Sequence, residues 1–235
     1  MRHDMGAKPT KSRGRYTSTL SAVSREAANL LLLKPLVWRL TDVTVHGVAN
    51  LDSLDGAYIV VANHSSHLDT PLIFGSMPRR LSKYLATGAA ADHFFTNWLH
   101  AITPVMFFNA FPVDRGKGKA RVATRGTTAH GMAGSLLTDG VPLLIFPEGT
   151  RGDAETVAAF HSGLYRLARH DPRIPVVPVT LRDLGRILPK GEVVPVPHLS
   201  TVVVHDPLPS AVGCGQEEYL AAARAVLVES LGGGR

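Results

Sequence analysis

The chain has 235 residues, 45% of them hydrophobic and 19% charged, with 22 Gly and 16 Pro. A chain of this length buries about 70% of its unfolded surface, which excludes disorder, collagen and a disulfide-stapled miniprotein. The lone Cys214 excludes an internal disulfide and a cysteine-rich zinc site and fits a reducing compartment.

Charge is unevenly placed: residues 1–40 carry eight Lys or Arg against two Asp or Glu, whereas residues 41–235 carry 17 of each. Arg2, Lys8, Lys11, Arg13 and Arg15 lead into an apolar stretch, 27–40, broken by Lys34, Pro35 and Arg39. Such an arm and amphipathic segment suit an anionic membrane surface, where each cation contributes about 1 kcal/mol. A solvated tail followed by a packed helix would carry the same letters. A neutral body without a reading motif argues against nucleic acid. Arg25 and Glu26 fall where a secretory signal would need an unbroken apolar core.

Short β-branched or apolar runs predict strands at 43–46, 58–62, 84–87, 105–113, 143–146, 176–181 and 201–205. Helices are expected at 70–77, 160–170 and 216–231. A longer one lies between 113 and 143, where Ala129, Met132, Ala133, Leu136 and Leu137 recur at helical spacing and Asp139-Gly140 closes the run. Residues 94–113 lack Asp, Glu, Lys and Arg, but Pro104, Asn109 and Pro112 make them a poor spanning helix. They are read as a short helix, a break near Pro104 and a buried strand. Prolines inside 174–181 imply an edge strand or a bulge, and 184–197 reads as a long loop. The alternation predicts one α/β domain over 41–235, a mixed, largely parallel central sheet flanked by helices, preceded by the N-terminal amphipathic, membrane-associating segment over 1–40.

Four clusters carry the chemistry. After the 58–62 strand comes Asn63-His64-Ser65-Ser66-His67-Leu68-Asp69. An Asp five residues beyond a His can fold back on it, fix its tautomer and leave the other ring nitrogen as a base. A capped helix start with incidental histidines gives the same letters, and His64, His67 and Asp69 are also possible metal ligands. The second cluster, Phe111-Pro112-Val113-Asp114-Arg115-Gly116, places Arg115 at a helix start, a setting for an anion. The third, Leu143-Leu144-Ile145-Phe146-Pro147-Glu148-Gly149-Thr150-Arg151-Gly152, runs an apolar strand into a carboxylate, a flexible glycine, a hydroxyl and a guanidinium at one sheet edge, and the guanidinium can grip phosphate in a fork. The fourth is the proline-bearing run 174–181 after Phe160-His161-Ser162-Gly163. No G-x-S-x-G elbow, P-loop or G-x-G-x-x-G fingerprint is present.

In this order and spacing NHSSHLD, FPVDRG, FPEGTR and IPVVPVTL resemble the four blocks of the glycerolipid acyltransferase superfamily, in particular the 1-acylglycerol-3-phosphate acyltransferases. The resemblance implies that His64 is the general base on the acceptor hydroxyl and Asp69 its orienting partner. It places Asn63, Ser66, Arg115, Glu148, Gly149, Thr150 and Arg151 on the acceptor, and Pro178 near the acyl donor. The implied substrates are a lysophospholipid and an acyl thioester of coenzyme A or acyl carrier protein, with phosphatidic acid as product and neither metal nor cofactor. The implied location is the cytoplasmic face of a membrane, peripheral or monotopic. Another lysophospholipid or glycolipid acceptor, or a noncatalytic lipid-binding protein on the same scaffold, are the alternatives.

Overall fold

The computed structural model of the chain describes residues 14–35, 38, 41–90, 108–113, 129–152, 156–184 and 198–232. Two short helices come first, α1 (Gly14–Thr17) and α2 (Thr19–Ala28). The side chain of Ser18 caps α2 by accepting from the N–H of Ser21. Tyr16, Ala22 and Arg25 turn inward, whereas Leu20 is 82% and Leu31 71% exposed. A π turn, Asn29–Leu33, follows directly.

The domain then runs β1 (Thr41–His46), β2 (Ile59–Ala62), α3 (Asp69–Ser76), α4 (Arg79–Ser82), β3 (Ala86–Ala90), β4 (Phe111–Val113), α5 (Ala129–Thr138), β5 (Leu143–Ile145), α6 (Gly163–Ala168), β6 (Val176–Arg182), β7 (His198–Val204) and α7 (Gln216–Gly232). These strands form one seven-stranded sheet in the order β1-β7-β6-β2-β5-β3-β4, parallel throughout except between β6 and β7. The α/β architecture and the mixed, largely parallel sheet are those expected from the sequence.

All four residues of β2 are buried, as a strand covered on both faces must be. Val60 and Ala62 join Leu72, Ile73 and Leu81 in one core, and Ile59 and Val61 join Leu136, Leu164 and Tyr219 in the other. The chain leaving β2 crosses the first face through α3 and α4 to β3. The chain leaving β5 crosses the second face through α6 to β6, on the other side of β2. Neighbouring strands that send their connections to opposite faces leave a crevice beyond their carboxyl ends, the usual ligand position in such sheets.

Helix α5 ends as its sequence requires. Gly140 has φ +81°, the N–H of Gly140 donates to the carbonyl of Leu137, and the N–H of Val141 donates to that of Leu136, a Schellman closure. Three expectations need correction. Of the strand expected over 105–113, residues 105–107 lie outside the described residues, and the described part is extended at Phe111–Val113 only, because Asn109 adopts φ +51°, which extended backbone cannot continue through. The strand expected at 84–87 begins two residues later, after the short helix α4, which was not anticipated. Strand β6 is interior and not an edge. Its Pro178 is tolerated because β7 ends at Val204: the N–H of His205 donates to the carbonyl of Pro178, and only the return bond is forfeited. The basic arm over 1–13, most of the 94–113 segment, the start of the helix before Ala129 and the 185–197 loop lie outside the described residues.

Candidate active site

Asn63 is the first residue beyond β2, and its side chain extends the sheet. Its amide oxygen accepts from the N–H of Leu181 at 2.8 Å, and its Nδ2 donates to the carbonyl of Leu181 at 2.9 Å. The chain then turns into α3. Asp69, fully buried, receives three donors on the single oxygen Oδ2: the N–H of Ser65 at 2.7 Å, the N–H of Ser66 at 2.9 Å and Nδ1 of His64 at 2.7 Å. A carboxylate only accepts, so Nδ1 carries the proton and Nε2 of His64 is left with its lone pair. The ring stacks on Phe146, centroids 4.2 Å apart and planes at 18°, and its side chain is 19% exposed while that of Asp69 is not exposed at all.

The main chain of His64 is held by the segment leaving β5. Its N–H donates to Oε1 of Glu148 at 2.7 Å, and its carbonyl accepts from the N–H of Gly152 at 2.8 Å. Oε2 of Glu148 accepts from the N–H of Ala158 at 2.8 Å, so both carboxylate oxygens are engaged by backbone. Burial pushes the Glu148 carboxyl above its ordinary pKa, and the two backbone donors pull part of that rise back. Between them Gly149 takes φ +72°, and a Cβ there would come within 2.9 Å of the His161 ring. Glycine is therefore required both by backbone conformation and by that close approach. Arg151 reaches back across the crevice and donates from Nη1 to Nε2 of His67.

The structure thus pairs His64 with Asp69 and turns Arg151 toward the same segment through His67, with Gly149 and Thr150 in the loop that leads from Glu148 to Arg151. It gives different work to four residues expected on substrate. Asn63 and Glu148 are buried and bonded to main chain through both polar atoms of their side chains. Ser66 is buried, and its hydroxyl accepts from the N–H of Leu68. Pro178 is buried in β6 at register with Val61. Arg115 lies outside the described residues. His67 meets Arg151 instead of joining His64 and Asp69 around one point, contrary to the metal alternative. Phe146 and Gly152 stand in the third cluster but carry no role there, and the structure gives them one, the stack on the His64 ring and the bond to the His64 carbonyl. Phe146 was legible as the last apolar residue before Pro147, and nothing local announces that the N–H of Gly152 meets His64.

A histidine whose tautomer is fixed by a buried aspartate, at the carboxyl ends of adjacent parallel strands, has the geometry with which a side chain can accept a proton from a bound hydroxyl. Comparison with known proteins gives this geometry its family: the model of the acyltransferase family matches residues 42–182, and the chain belongs to that family. Among similar proteins, "Taffazin" of Dictyostelium discoideum is 32% identical over 169 residues, 67% of this chain and 56% of that protein. A 1-acyl-sn-glycerol-3-phosphate acyltransferase of Chlamydomonas reinhardtii is 32% identical over 71% of this chain and 47% of its own length. The chain spans about half the length of these curated relatives. The crystal structure of the 1-acyl-sn-glycerophosphate acyltransferase PlsC of Thermotoga maritima matches in fold, with a TM-score of 0.67 and 23% identity over 97% of this chain and 84% of that one.

Proposed function

We propose that the protein transfers a fatty acyl group from a thioester, acyl-coenzyme A or acyl carrier protein, to the free hydroxyl of 1-acyl-sn-glycerol 3-phosphate. The observation that carries this reading is the 2.7 Å bond from His64 Nδ1 to Asp69, which leaves Nε2 free to accept a proton at the mouth of the crevice. Nε2 takes the hydroxyl proton as the oxygen attacks the thioester carbonyl. The tetrahedral intermediate collapses with cleavage of the C–S bond, and the imidazolium returns the proton to the departing thiolate. The buried Asp69 charge stabilises the imidazolium in between. Arg151 leaves His67 to take the acceptor phosphate, with Arg115, the Thr150 hydroxyl and the backbone at Gly149 as further donors. Similarity to proteins named for this reaction supports the acceptor assignment. Another lysophospholipid is the second reading, favoured by the similarity to a relative under a different name.

Thiol release from palmitoyl-coenzyme A tests the proposal, with and without lysophosphatidate, in the wild type and His64→Ala. Release that requires lysophosphatidate and falls by about 10²- to 10⁴-fold in the variant is expected. No release with either donor and any of a panel of lysophospholipids would leave a lipid-binding protein instead. Attachment to the cytoplasmic face of a membrane through residues 1–40 belongs to the same reading. It is supported by exposed Leu20 and Leu31 beside a basic arm, and no helix among the described residues is long and apolar enough to cross a membrane. Removing residues 1–40 is expected to abolish binding to anionic vesicles, and undiminished binding would refute the attachment.

A further inference from the structure

Away from the His64 crevice, a cleft of about 120 Å³ lies between the N-terminal helices and the far ends of α3 and α4. It contains no residue of the four sequence clusters. Its wall follows α3 from Pro71, two residues beyond Asp69, to Gly75, six residues beyond it and roughly 9 Å up the helix axis. Its charge is one-sided: Arg25, Lys34, Arg79 and Lys83 line it against Glu26 alone. Glu26 is paired with the exposed Arg79 at 2.5 Å. Among the described residues Lys34 meets the carbonyl of Gly75 at 3.2 Å and the face of Trp38 at 4.9 Å, and Lys83 lies 5.3 Å from the centre of the Tyr84 ring. Arg25 is 8% exposed, and its Nη2 has no hydrogen-bond partner among the described residues. With Glu26 engaged by Arg79, the lining offers no second carboxylate to the Arg25 guanidinium or to Lys34 and Lys83.

The backbone brings these cations together. Nine residues of regular α-helix would turn Lys34 by about 900° from Arg25, onto the opposite face. The π turn Asn29–Leu33, whose closing bond runs from the N–H of Lys34 to the carbonyl of Asn29, absorbs one residue and leaves Lys34 only about 80° away. Gly75 keeps the opposing wall close, since a Cβ there would collide with the ring of Trp38. Leu30, Pro71, Phe74 and Met77 give the cleft an apolar side, and Asn29 and Ser82 complete its lining.

We propose that this cleft is a binding site for an anionic phospholipid, distinct from the site of the acceptor. Its phosphate lies among Arg25, Lys34 and Lys83, and the start of an acyl chain lies against Phe74 and Met77. A soluble phosphate would share the cationic contacts and gain nothing from the apolar walls. The exposed leucines on the same helical segment present the cleft to a lipid surface. The proposal does not depend on the acyltransferase reaction, because it concerns binding alone.

The test is calorimetric titration of the full chain with dihexanoylphosphatidylglycerol below its micellar concentration, with dihexanoylphosphatidylcholine, inorganic phosphate and coenzyme A as separate arms. One saturable site for the anionic lipid is expected in the wild type and undiminished in Arg151→Ala, which alters only the acceptor crevice. Binding is expected to weaken by about ten-fold or more in Lys34→Gln/Lys83→Gln. These lysines are on the rim of the cleft, so the double variant remains informative even where Arg25→Gln fails to fold. Equal affinity in wild type and double variant, equal affinity for the choline lipid, or loss in Arg151→Ala alone would each overturn the proposal. Phosphate or coenzyme A binding as tightly as the lipid and weakened to the same extent in Lys34→Gln/Lys83→Gln would overturn it too, by showing that the cleft takes a soluble phosphate group.

Discussion

Two carboxylates brace the same histidine, and they do so in opposite ways. Asp69 gathers three donors on one oxygen, and its other oxygen, Oδ1, is buried with no hydrogen-bond partner among the described residues. Glu148 divides its oxygens between two backbone N–H groups on separate segments, His64 and Ala158. An amide in place of Asp69 can therefore keep all three donors on its oxygen and put its NH₂ where Oδ1 was. An amide in place of Glu148 must turn its NH₂ against an N–H. The first carboxylate is needed for its charge and the second for its two acceptors.

Asp69→Asn gives the largest separation of rate from fold. The variant is expected to unfold within a few degrees of the wild type while kcat falls by about 10²- to 10⁴-fold, because the imidazolium formed during transfer loses its counter-charge. KM should move little. A variant that melts far below the wild type, or that keeps its kcat, would show that Asp69 serves the turn and not the base.

Glu148→Gln is expected to do the reverse, costing about 1–3 kcal/mol of stability and lowering kcat only as the His64 loop loosens. The pH dependence sharpens the contrast. Because burial raises the folded-state pKa of Glu148, the native state holds the proton longer than the unfolded chain does. The stability contribution of this group is therefore full below the ordinary carboxylate range and is lost as pH rises through the raised value. Glu148→Gln has no such slope, so its deficit against the wild type should shrink with rising pH across that window. Parallel denaturation curves at every pH would contradict the assignment.

Distance along the chain explains how much of this could be read from the sequence. His64 and Asp69 are five residues apart, and their pairing was legible as a local fold-back. The N–H of His64 meets Glu148 across 84 positions, and Asn63 meets Leu181 across 118. A polar residue in a motif does not reveal whether it faces substrate or distant main chain, so Asn63, Ser66 and Glu148 were all assigned to the acceptor. The strands fared better because burial on both faces writes itself as apolar runs, as in Ile59–Ala62 and Leu143–Ile145. Residues 108–110 of the run over 105–113 misled for a physical reason: apolar composition reports burial, whereas the left-handed turn at Asn109 is a backbone event that the surrounding letters do not encode.

The same comparison extends one step outward, with the smallest expected effect. Arg224 on α7 donates from Nε and Nη2 to the carbonyl of Val157, at 2.9 and 2.5 Å, and from Nε to that of Ala158 at 3.2 Å. The N–H of Ala158 donates to Oε2 of Glu148, whose Oε1 holds the N–H of His64. The C-terminal helix thus reaches the base through a segment and a carboxylate without touching the crevice. Arg224→Met keeps much of the apolar stem and removes the donors, so a loss of about 1–2 kcal/mol in stability is expected. Amide exchange shows whether the connection carries that far. Exchange at Ala158 should accelerate clearly and at His64 more weakly, with Arg224→Lys restoring part of both. Faster exchange at Ala158 with His64 unchanged would end the relay at Glu148, and it would mean that the carboxylate isolates the base from the outer shell as well as holding it.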